Sequence, residues 1–340
     1  MRVVLADPPA FTPPYDHELA AALGRAGADV TLATSHFRFG DVPAADGYTR
    51  RELFYPVSSR LFGRSRLRLP LKVAEHPLGL ARLLALRADV LHVQWLVPEL
   101  DVRLLRPRTP SVFTAHDLLP RRTAARLDLW RRLLSRFDRV VVHSEAGRAT
   151  LADVGIDARV IAHPVFPSDP PRTDDGRTVL ALGVIRAYKG LADAVEATRR
   201  AGVRLLVAGD PLEPVPVADD AHVEWRLGYL PEAEIDRALG DATVAVFPYR
   251  PELDQSGALL RALGAGVPVV AYDVGGIAEP VRRYEAGRVV PAGDVAALAE
   301  AIEQVLADPE PARAGARRAR AELTWDAAAR AHLALYEEIA

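Results

Sequence analysis

Two cations lie three residues apart in a short segment between an apolar run and a helical pattern. Residues 179–183 predict a buried strand, and Arg186 and Lys189 follow it just before a helix predicted from Leu191. The first N–H groups of a helix have no backbone partner and carry a partial positive charge, so they attract anions. Arg186 and Lys189 are therefore predicted to hold one diphosphate at this helix start. The alternative is that both are solvated charges.

A pair of glycines marks a second strand-to-helix turn in the same half of the chain. Gly275 and Gly276 follow a predicted strand, and glycine lets the backbone approach a ligand more closely than a side chain would permit. Gln255, Ser256 and Gly257 precede another predicted helix and offer N–H groups to a phosphate or a sugar. A glycine pair alone is more often ordinary turn chemistry. Together with the two cations it predicts a phosphate site.

Valine-rich apolar runs alternate with amphipathic stretches, a pattern typical of parallel sheets with helices on both faces. Strands are predicted at residues 2–6, 29–34, 90–94, 111–115, 140–143, 159–162, 179–183, 204–208, 222–225, 243–247, 267–272 and 288–290. Helices between them include residues 16–26, 127–136, 191–200, 232–239, 259–263, 295–306 and 325–339. The fold class predicted is α/β, with two doubly wound Rossmann-like domains that face a deep cleft and bind ligands beyond the carboxyl ends of their strands.

A segment dense in proline, aspartate and glycine, residues 163–177, predicts an interdomain linker. The predicted domains are residues 1–164, onto which a helix at 325–340 packs back, and residues 165–324. A length of 340 residues suits two domains. The net charge of −2 divides into +7 for residues 1–165 and −9 for the remainder, so the first half is basic and the second acidic.

Composition and missing motifs exclude several classes of protein. The chain has no cysteine, which excludes disulfides and cysteine metal sites, and its 49% hydrophobic and 26% charged residues are typical of a globular protein. It lacks the Walker A, GxGxxG, HExxH and GxSxG motifs, and the acids Asp174, Asp175, Asp219 and Asp220 are predicted to be solvated. No metal and no nucleic-acid partner are predicted. The first residues resemble neither a signal peptide nor a membrane span, so a cytoplasmic location is predicted.

Eight segments carry a family resemblance. In the second half they are GVIRAYKGL, LLVAGD, GYLPEAEIDRALGDATVAVFPY, GAGVPVVAYDVGGIAEPV and GRVVPAGDVAALAEAI, and in the first half, more loosely, VLHVQW, VFTAHDLLP and VVVHSEAGRATL. In that order they resemble a retaining family 4 glycosyltransferase with the GT-B fold. The resemblance implies transfer of a sugar from a nucleoside-diphosphate sugar to an acceptor hydroxyl, with retention of anomeric configuration. It implies no obligatory metal and no other cofactor.

The resemblance also implies roles for single residues. Arg186 and Lys189 would hold the donor diphosphate and stabilise the leaving group as its charge develops. His116, which is followed by Asp117, would contact the donor sugar, and a strand-end histidine hydrogen-bonded to backbone is the alternative. Three further residues would lie at the bound nucleotide: Gly183, Gly228 and Tyr229.

The chain departs from the family at two acidic positions. The family usually carries two glutamates seven residues apart, one at the donor sugar and one at the ribose hydroxyls. Asp254, or else Glu252, stands at the first position, but Arg261 or Ala262 stands at the second, so the ribose acceptor is missing. A hydrogen bond to a charged group contributes about 1.5–3 kcal/mol. We expect weaker nucleotide binding or a relaxed sugar requirement, such as use of a deoxyribose donor like a dTDP-sugar.

The basic first half contains the predicted acceptor site and a predicted membrane contact. A glycine-free loop, residues 7–18, is expected to shape the acceptor site with Tyr15, Asp16 and His17, and rigid-loop filler is the alternative. Arginines interleaved with leucines and aromatic residues at 58–72 and 121–136 suit anionic lipid at the inner face of a membrane. Ordinary solvated helix faces show the same pattern.

These features predict a metal-independent glycosyltransferase of the hexosyltransferase type. Its acceptor would be a glycan, a lipid-linked molecule or a small natural product. Two other functions stay open: a noncatalytic GT-B protein that binds a nucleotide or glycan, which the missing second glutamate suggests, and nucleotide-sugar epimerisation on the same fold. Arg186, Lys189 and His116 favour the transferase.

Overall fold

The computed structural model describes residues 1–61, 68–118, 123, 125–213, 215, 220–250 and 255–340. The chain divides into two compact units, the N-terminal unit of residues 1–162 with 325–340 and the C-terminal unit of residues 163–324. The division falls two residues before the predicted boundary at 164/165. Each unit is built around its own parallel sheet.

The N-terminal unit contains seven parallel strands in the order β3-β2-β1-β4-β5-β6-β7. The strands are β1 (Arg2–Asp7), β2 (Asp29–Ser35), β3 (Thr49–Phe54), β4 (Val90–Val93), β5 (Ser111–Thr114), β6 (Arg139–Val142) and β7 (Arg159–Val160). The helices between them are α1 (Pro13–Arg25), α2 (Arg68–Leu84), α3 (Pro98–Leu104), α4 (Leu127–Leu134) and α5 (Glu145–Asp153).

The C-terminal unit contains six parallel strands in the order β10-β9-β8-β11-β12-β13. The strands are β8 (Thr178–Leu182), β9 (Arg204–Gly209), β10 (Val223–Leu227), β11 (Val244–Phe247), β12 (Val269–Tyr272) and β13 (Gly287–Val290). The helices are α6 (Leu191–Arg200), α7 (Glu232–Asp241), α8 (Gly257–Gly264), α9 (Ala278–Tyr284), α10 (Val295–Ala307) and α11 (Glu310–Glu322), and short 3-10 helices span Ala187–Lys189 and Gly275–Ile277. The last helix, α12 (Trp325–Ile339), returns to the N-terminal unit and packs against α1.

Both sheets reverse their strand order once, between β1 and β4 and between β8 and β11. Ligands of doubly wound sheets bind beyond the carboxyl ends of the strands at such a reversal, because the connections on either side run to opposite faces and leave a crevice. The residues that follow β1, β4, β8 and β11 are therefore the first candidates for a site.

Two elements of the structure differ from the prediction for local reasons. The strand β3 was not predicted, because it lies at the sheet edge and its sequence TRRELF keeps most side chains exposed or half-exposed. Helix α1 begins at Pro13, whereas the sequence predicts a loop over residues 7–18 and a helix only from residue 16. Proline suits the first helical turn because its φ is already helical and its missing N–H is not needed there. Residues 13–18 are thus helix, and the loop prediction is wrong for them.

Residues 163–177 form no helix or strand, yet they are packed against the C-terminal unit. Val165 is 1% exposed, and its N–H donates to the Leu323 carbonyl at 2.9 Å. Asp174, predicted to be solvated, is only 13% exposed and pairs with Arg172 at 3.0 Å and Arg313 at 3.2 Å. That prediction is wrong for Asp174, because two arginines neutralise it. Asp219 lies outside the described residues.

Candidate functional site

The loop after β8 brings a glycine and a lysine into close contact. Gly183 has φ +102°, and a Cβ there would lie 3.0 Å from the Lys189 Nζ and 3.2 Å from the Ala258 Cβ at the start of α8. The Lys189 Nζ also lies 5.0 Å from the centroid of the Tyr249 ring. Glycine therefore leaves the space that the ammonium occupies, and the β8 loop and the start of α8 converge on it.

Arg186 and Lys189 lie at either end of one turn. Arg186 is exposed and extended, with φ −144° and ψ 156°, and caps the 3-10 helix that ends at Lys189. The Ala187 N–H donates to the Glu213 carboxylate at 2.8 Å, which fixes the turn. Among the residues that the structure describes, neither cation forms an ion pair with a carboxylate, although many other arginines of this unit do. Both charges are available to an anionic ligand.

The second predicted phosphate segment contacts the glycine turn. The Gln255 Nε2 donates to the Gly276 carbonyl at 3.3 Å, so residues 255–257 and 275–276 are brought together. Ser256 caps α8 by accepting from the Leu259 N–H at 3.3 Å, and its Oγ lies 3.1 Å from the Tyr249 hydroxyl. The free N–H groups at the start of α8 therefore adjoin the lysine of the β8 loop.

Two other predicted residues of this unit follow the edge strand β10, and two lie outside the described chain. Gly228 has φ +132° and donates its N–H to the Gly209 carbonyl at 3.0 Å, after the edge strand β10. Tyr229 beside it is 48% exposed. Asp254 and Glu252, the candidates for the donor-sugar acid, lie outside the described residues.

The position of the missing second glutamate is occupied by a structural ion pair. Both terminal nitrogens of Arg261 donate to the Glu232 carboxylate, at 2.5 and 2.8 Å, and its guanidinium lies 4.8 Å from the centroid of the Phe166 ring. Ala262 is fully buried. An arginine has no hydrogen-bond acceptor and an alanine side chain has no polar atom, so neither can accept from a ribose hydroxyl.

In the N-terminal unit, His116 follows β5 in an aromatic environment. Its Nε2 lies 2.8 Å from the Gln94 Oε1, so this ring nitrogen bonds a side chain. The Trp95 ring stacks on the imidazole at an interplanar angle of 17°, and the Tyr15 ring meets it edge-on with centroids 4.6 Å apart. His143 lies beside it with ring centroids 5.2 Å apart. Ring packing and the hydrogen bond to Gln94 restrain this ring.

Two of the three predicted acceptor residues lie inside the unit. Tyr15 and Asp16 are 3% and 1% exposed, because they lie on the inner face of α1 and not in a loop. Burial and the neighbouring Asp7 raise the pKa of Asp16 well above its usual range. Both side chains are buried in this structure, and their contact with an acceptor stays a prediction. His17 is half-buried and bonded to the Tyr48 hydroxyl at 3.0 Å, and its role stays a prediction.

Two groups of residues in this structure were missed by the sequence analysis. Tyr249, which supports Lys189, carries no motif of its own. His92 and Gln94 have a recognisable signal, because two polar residues at i and i+2 of an apolar strand share one face.

A groove of about 800 Å³ lined by α3 and α4 contains none of the predicted site residues. Among the described residues, no group of acids and histidines could hold a metal ion.

Solved structures share this architecture over nearly the whole chain. Sucrose-phosphate synthase from Thermosynechococcus elongatus gives a TM-score of 0.74 at 23% identity, covering 99% of this chain and 98% of that chain. HepE from Anabaena, in complex with UDP-glucose, gives 0.70 at 16% identity over 99% and 100%. Two Rossmann-like units with these strand orders place the protein in the GT-B fold class.

Sequence comparisons then identify the family. A glycosyltransferase family 4 model matches residues 15–168, and a glycosyl transferases group 1 model matches residues 176–308. D-inositol 3-phosphate glycosyltransferase from Mycolicibacterium smegmatis is 28% identical over 95% of this chain and 85% of its own length. Glycogen synthase from Mycobacterium tuberculosis is 34% identical over 51% of this chain, a match that spans only 43% of that protein. This chain belongs to the family 4 glycosyltransferases.

Proposed function

We propose that this protein transfers a sugar from a nucleoside-diphosphate sugar to an acceptor hydroxyl, with retention of anomeric configuration. The observation that carries the proposal is the pair Arg186 and Lys189, held on one turn beside Gly183 and without an ion pair to any described carboxylate. HepE, which has the same fold, was solved in complex with UDP-glucose, a nucleoside-diphosphate sugar.

The proposed mechanism depends on charge and not on a nucleophilic side chain. As the bond between the sugar and the diphosphate breaks, negative charge grows on the departing diphosphate, and Arg186 and Lys189 stabilise it together with the first N–H groups of α8. Two cations can supply the stabilisation that a divalent metal supplies elsewhere. His116 contacts the donor sugar, as the family resemblance implies, and the N-terminal unit binds the acceptor.

Thermal denaturation with nucleotides tests the donor site. UDP, GDP, dTDP and ADP are each added at high excess, and a ligand present at about 100 times its dissociation constant stabilises the protein by roughly 2.7 kcal/mol. We expect one nucleotide to raise the melting temperature and Arg186→Ala to abolish that rise. Arg237→Ala removes an exposed arginine whose ion pair among the described residues lies within α7, so its response should match the wild type. Equal responses in both variants would contradict the proposed role of Arg186.

The missing ribose acid motivates a narrower proposal about the nucleotide. Because Arg261 and Ala262 cannot accept from ribose hydroxyls, we propose that a deoxyribose donor such as a dTDP-sugar is tolerated as well as a ribose donor. Titrations with UDP and dUDP measure this, because the two ligands differ only in the 2′-hydroxyl. Their dissociation constants are expected to agree within about threefold. A strong preference for UDP would overturn this proposal and leave the transferase intact.

Noncatalytic binding is the second candidate function, and the Arg261–Glu232 pair is the observation that favours it. A nucleotide that binds without turnover of any of its sugar derivatives would support it. Release of the nucleoside diphosphate from a sugar donor in the presence of acceptor would exclude it.

We propose that the acceptor is lipid-linked and that α2 contacts an anionic membrane. Leu69, Val73 and Leu78 are 49%, 53% and 61% exposed on that helix. Apolar groups beside cations bind the interface of anionic bilayers. No helix in the described chain is long and apolar enough to cross a membrane. Residues 62–67, 121, 122 and 124 of the two basic segments lie outside the described residues.

Co-sedimentation with phosphatidylglycerol and phosphatidylcholine vesicles tests this contact. The wild-type protein should bind the anionic vesicles, and Leu69→Gln with Val73→Gln should weaken binding. Leu212→Gln, at a leucine 42% exposed in the C-terminal unit, is the matched control. Equal binding by both variants would contradict the contact.

A further inference from the structure

A chain of buried side chains runs from His116 into the interior of the N-terminal unit. The Gln94 Oε1 lies 2.8 Å from the His116 Nε2, and the Gln94 Nε2 lies 3.2 Å from the His92 Nε2. The other ring nitrogen of His92, Nδ1, lies 2.6 Å from the Tyr336 hydroxyl on α12, and its Nε2 lies 2.7 Å from the Thr114 Oγ1. Gln94, His92, Thr114 and Tyr336 are all 0% exposed. An unsatisfied buried polar group costs about 1–3 kcal/mol, so each of these groups needs its partners.

The chemistry of these groups decides where the protons lie. An amide nitrogen only donates, so the His92 Nε2 accepts from Gln94 and carries no proton. Burial holds the pKa of His92 well below its usual range, so the ring is neutral and its one proton lies on Nδ1, which donates to the Tyr336 hydroxyl. The Gln94 carbonyl oxygen only accepts, so the His116 Nε2 donates to it. A neutral His116 ring then has its lone pair on Nδ1.

We infer that Gln94 is a positioning residue that holds His116 in the Nε2–H tautomer, and that His92 and Tyr336 fix the direction of the Gln94 amide. Rotating that amide by 180° would place its carbonyl oxygen against the unprotonated His92 Nε2. The Trp95 and Tyr15 rings restrict rotation of the imidazole, and the hydrogen bond selects its tautomer. The catalytic consequence rests on the proposed function, since there His116 contacts the donor sugar. The tautomer makes Nδ1 the hydrogen-bond acceptor of the ring.

Nitrogen NMR of the full chain labelled with ¹⁵N-histidine tests the tautomer directly. His116→Asn identifies the signals of His116 by their loss. Near pH 7.5, the wild-type ring should show a protonated, pyrrole-type Nε2 and an unprotonated, pyridine-type Nδ1, with widely separated shifts. In Gln94→Met the two shifts should move toward each other as tautomers exchange.

Two further variants make the experiment decisive. Thr34→Val removes another buried hydroxyl of the same sheet, which bonds the Asp7 carbonyl at 2.9 Å, and should leave the His116 shifts unchanged. Tyr336→Phe removes only the far hydroxyl of the chain, and it provides the test if Gln94→Met does not fold. It should move the His116 shifts in the same direction as Gln94→Met but less. A protonated Nδ1 in the wild-type protein, or shifts unaffected by both Gln94→Met and Tyr336→Phe, would overturn the inference.

Kinetics separate this inference from the proposed function. If the transferase activity is present, Gln94→Met should lower kcat by roughly 10- to 100-fold, because a misplaced catalytic group costs about that much, and should change KM for the donor far less. Thr34→Val should resemble the wild type. Failure of every nucleotide to bind would refute the proposed function and leave the NMR result standing. Normal turnover with exchanging tautomers would refute only the positioning role.

Discussion

The two sheets reverse their strand order in the same way, yet different chemical groups line their carboxyl edges, where the parallel strands end. In the N-terminal unit the edge is filled by side chains that hydrogen-bond one another in the interior, with Gln94 and His92 fully buried. In the C-terminal unit the edge is built from glycines with positive φ, such as Gly183 and Gly190, and from the exposed Arg186.

The difference shows how one fold can bind an exchanging anion in one unit and hold a side chain in one orientation in the other. Backbone N–H groups and exposed cations suit an anion that enters from water and leaves again, because they need no partner when the site is empty. Buried side chains suit a group that must keep one orientation, because each member depends on its neighbour. The N-terminal edge is thus sensitive to the loss of a polar partner, and the C-terminal edge is sensitive to added volume.

The largest expected effect comes from adding one methyl group to the C-terminal edge. Gly190 and Gly202 have almost the same φ, +64° and +63°, so alanine brings similar backbone strain at both, roughly 1–2 kcal/mol. At Gly190 the new Cβ would lie 1.9 Å from the Pro248 carbonyl oxygen, whereas nothing lies within 4 Å at Gly202. We expect Gly190→Ala to destabilise the protein by about 2 kcal/mol or more beyond Gly202→Ala.

Urea denaturation followed by circular dichroism measures this difference as a shift in midpoint. Gly202→Ala is the matched control because it isolates the backbone strain. Equal midpoints for the two variants would show that the backbone at Pro248 shifts to make room for the new methyl group. The C-terminal edge would then not be sensitive to added volume.

A smaller effect is expected in the pH dependence of stability, to which groups of the two units should contribute in different pH ranges. His332 of α12 is fully buried, and burial lowers its pKa to about 4 from 6.5. The unfolded chain therefore binds a proton at higher pH than the folded one, so the contribution of His332 is complete above pH 6.5 and is lost as the pH falls toward 4. The loss is at most about 1.4 kcal/mol per pH unit. In the C-terminal unit, Arg282 lowers the pKa of the Asp273 carboxyl below 3.8, so its contribution is lost only in stronger acid.

Urea midpoints at pH 7.5, 6.5, 5.5 and 4.5 measure the dependence. His332→Phe keeps a ring of similar size but cannot titrate, so its midpoint should fall less between pH 6.5 and 4.5 than that of the wild type. Asp273→Asn should leave the fall in that window unchanged. Parallel curves for His332→Phe and the wild type would indicate that the pKa of His332 is the same in the folded and the unfolded protein.

The smallest expected effect concerns Arg261 and Glu232. The pair is bidentate, but Glu232 is 65% exposed, so solvent screens it. A double-mutant cycle with Arg261→Gln and Glu232→Gln should give a coupling energy of about 0.5–1 kcal/mol. Nucleotide affinity should not change in Glu232→Gln. A large loss of affinity in that variant would show that the pair supports the donor site after all.

The sequence predicts best what is decided locally. The apolar strands β4, β11 and β12 are buried in the structure, and a cation pair three residues apart is on one turn whatever surrounds it. The sequence could predict that the segments of Gln255 and Gly276 lie together, because both follow the carboxyl ends of neighbouring strands. It could not predict the particular hydrogen bond between them.

What the sequence could not predict depends on distant residues. Tyr15 is buried because Trp325, more than three hundred residues later, packs against its ring with centroids 5.2 Å apart. The hydrogen bond from His92 to Tyr336 joins residues that are 244 positions apart in the chain. Burial of this kind has no local signature, so a tyrosine in a proline-rich stretch was interpreted as a loop residue.

The helix α12 also determines the order in which this protein can assemble during translation. It belongs to the N-terminal unit although residues 163–324 intervene, and it supplies Trp325 and Tyr336 to the interior of that unit. At 5–20 residues per second, the ribosome needs roughly 10–30 s to synthesise the intervening chain. Throughout that time the α1 surface that α12 covers is open. The C-terminal unit is continuous in sequence, so it can finish folding first, and the half of the protein made first is the last to be completed.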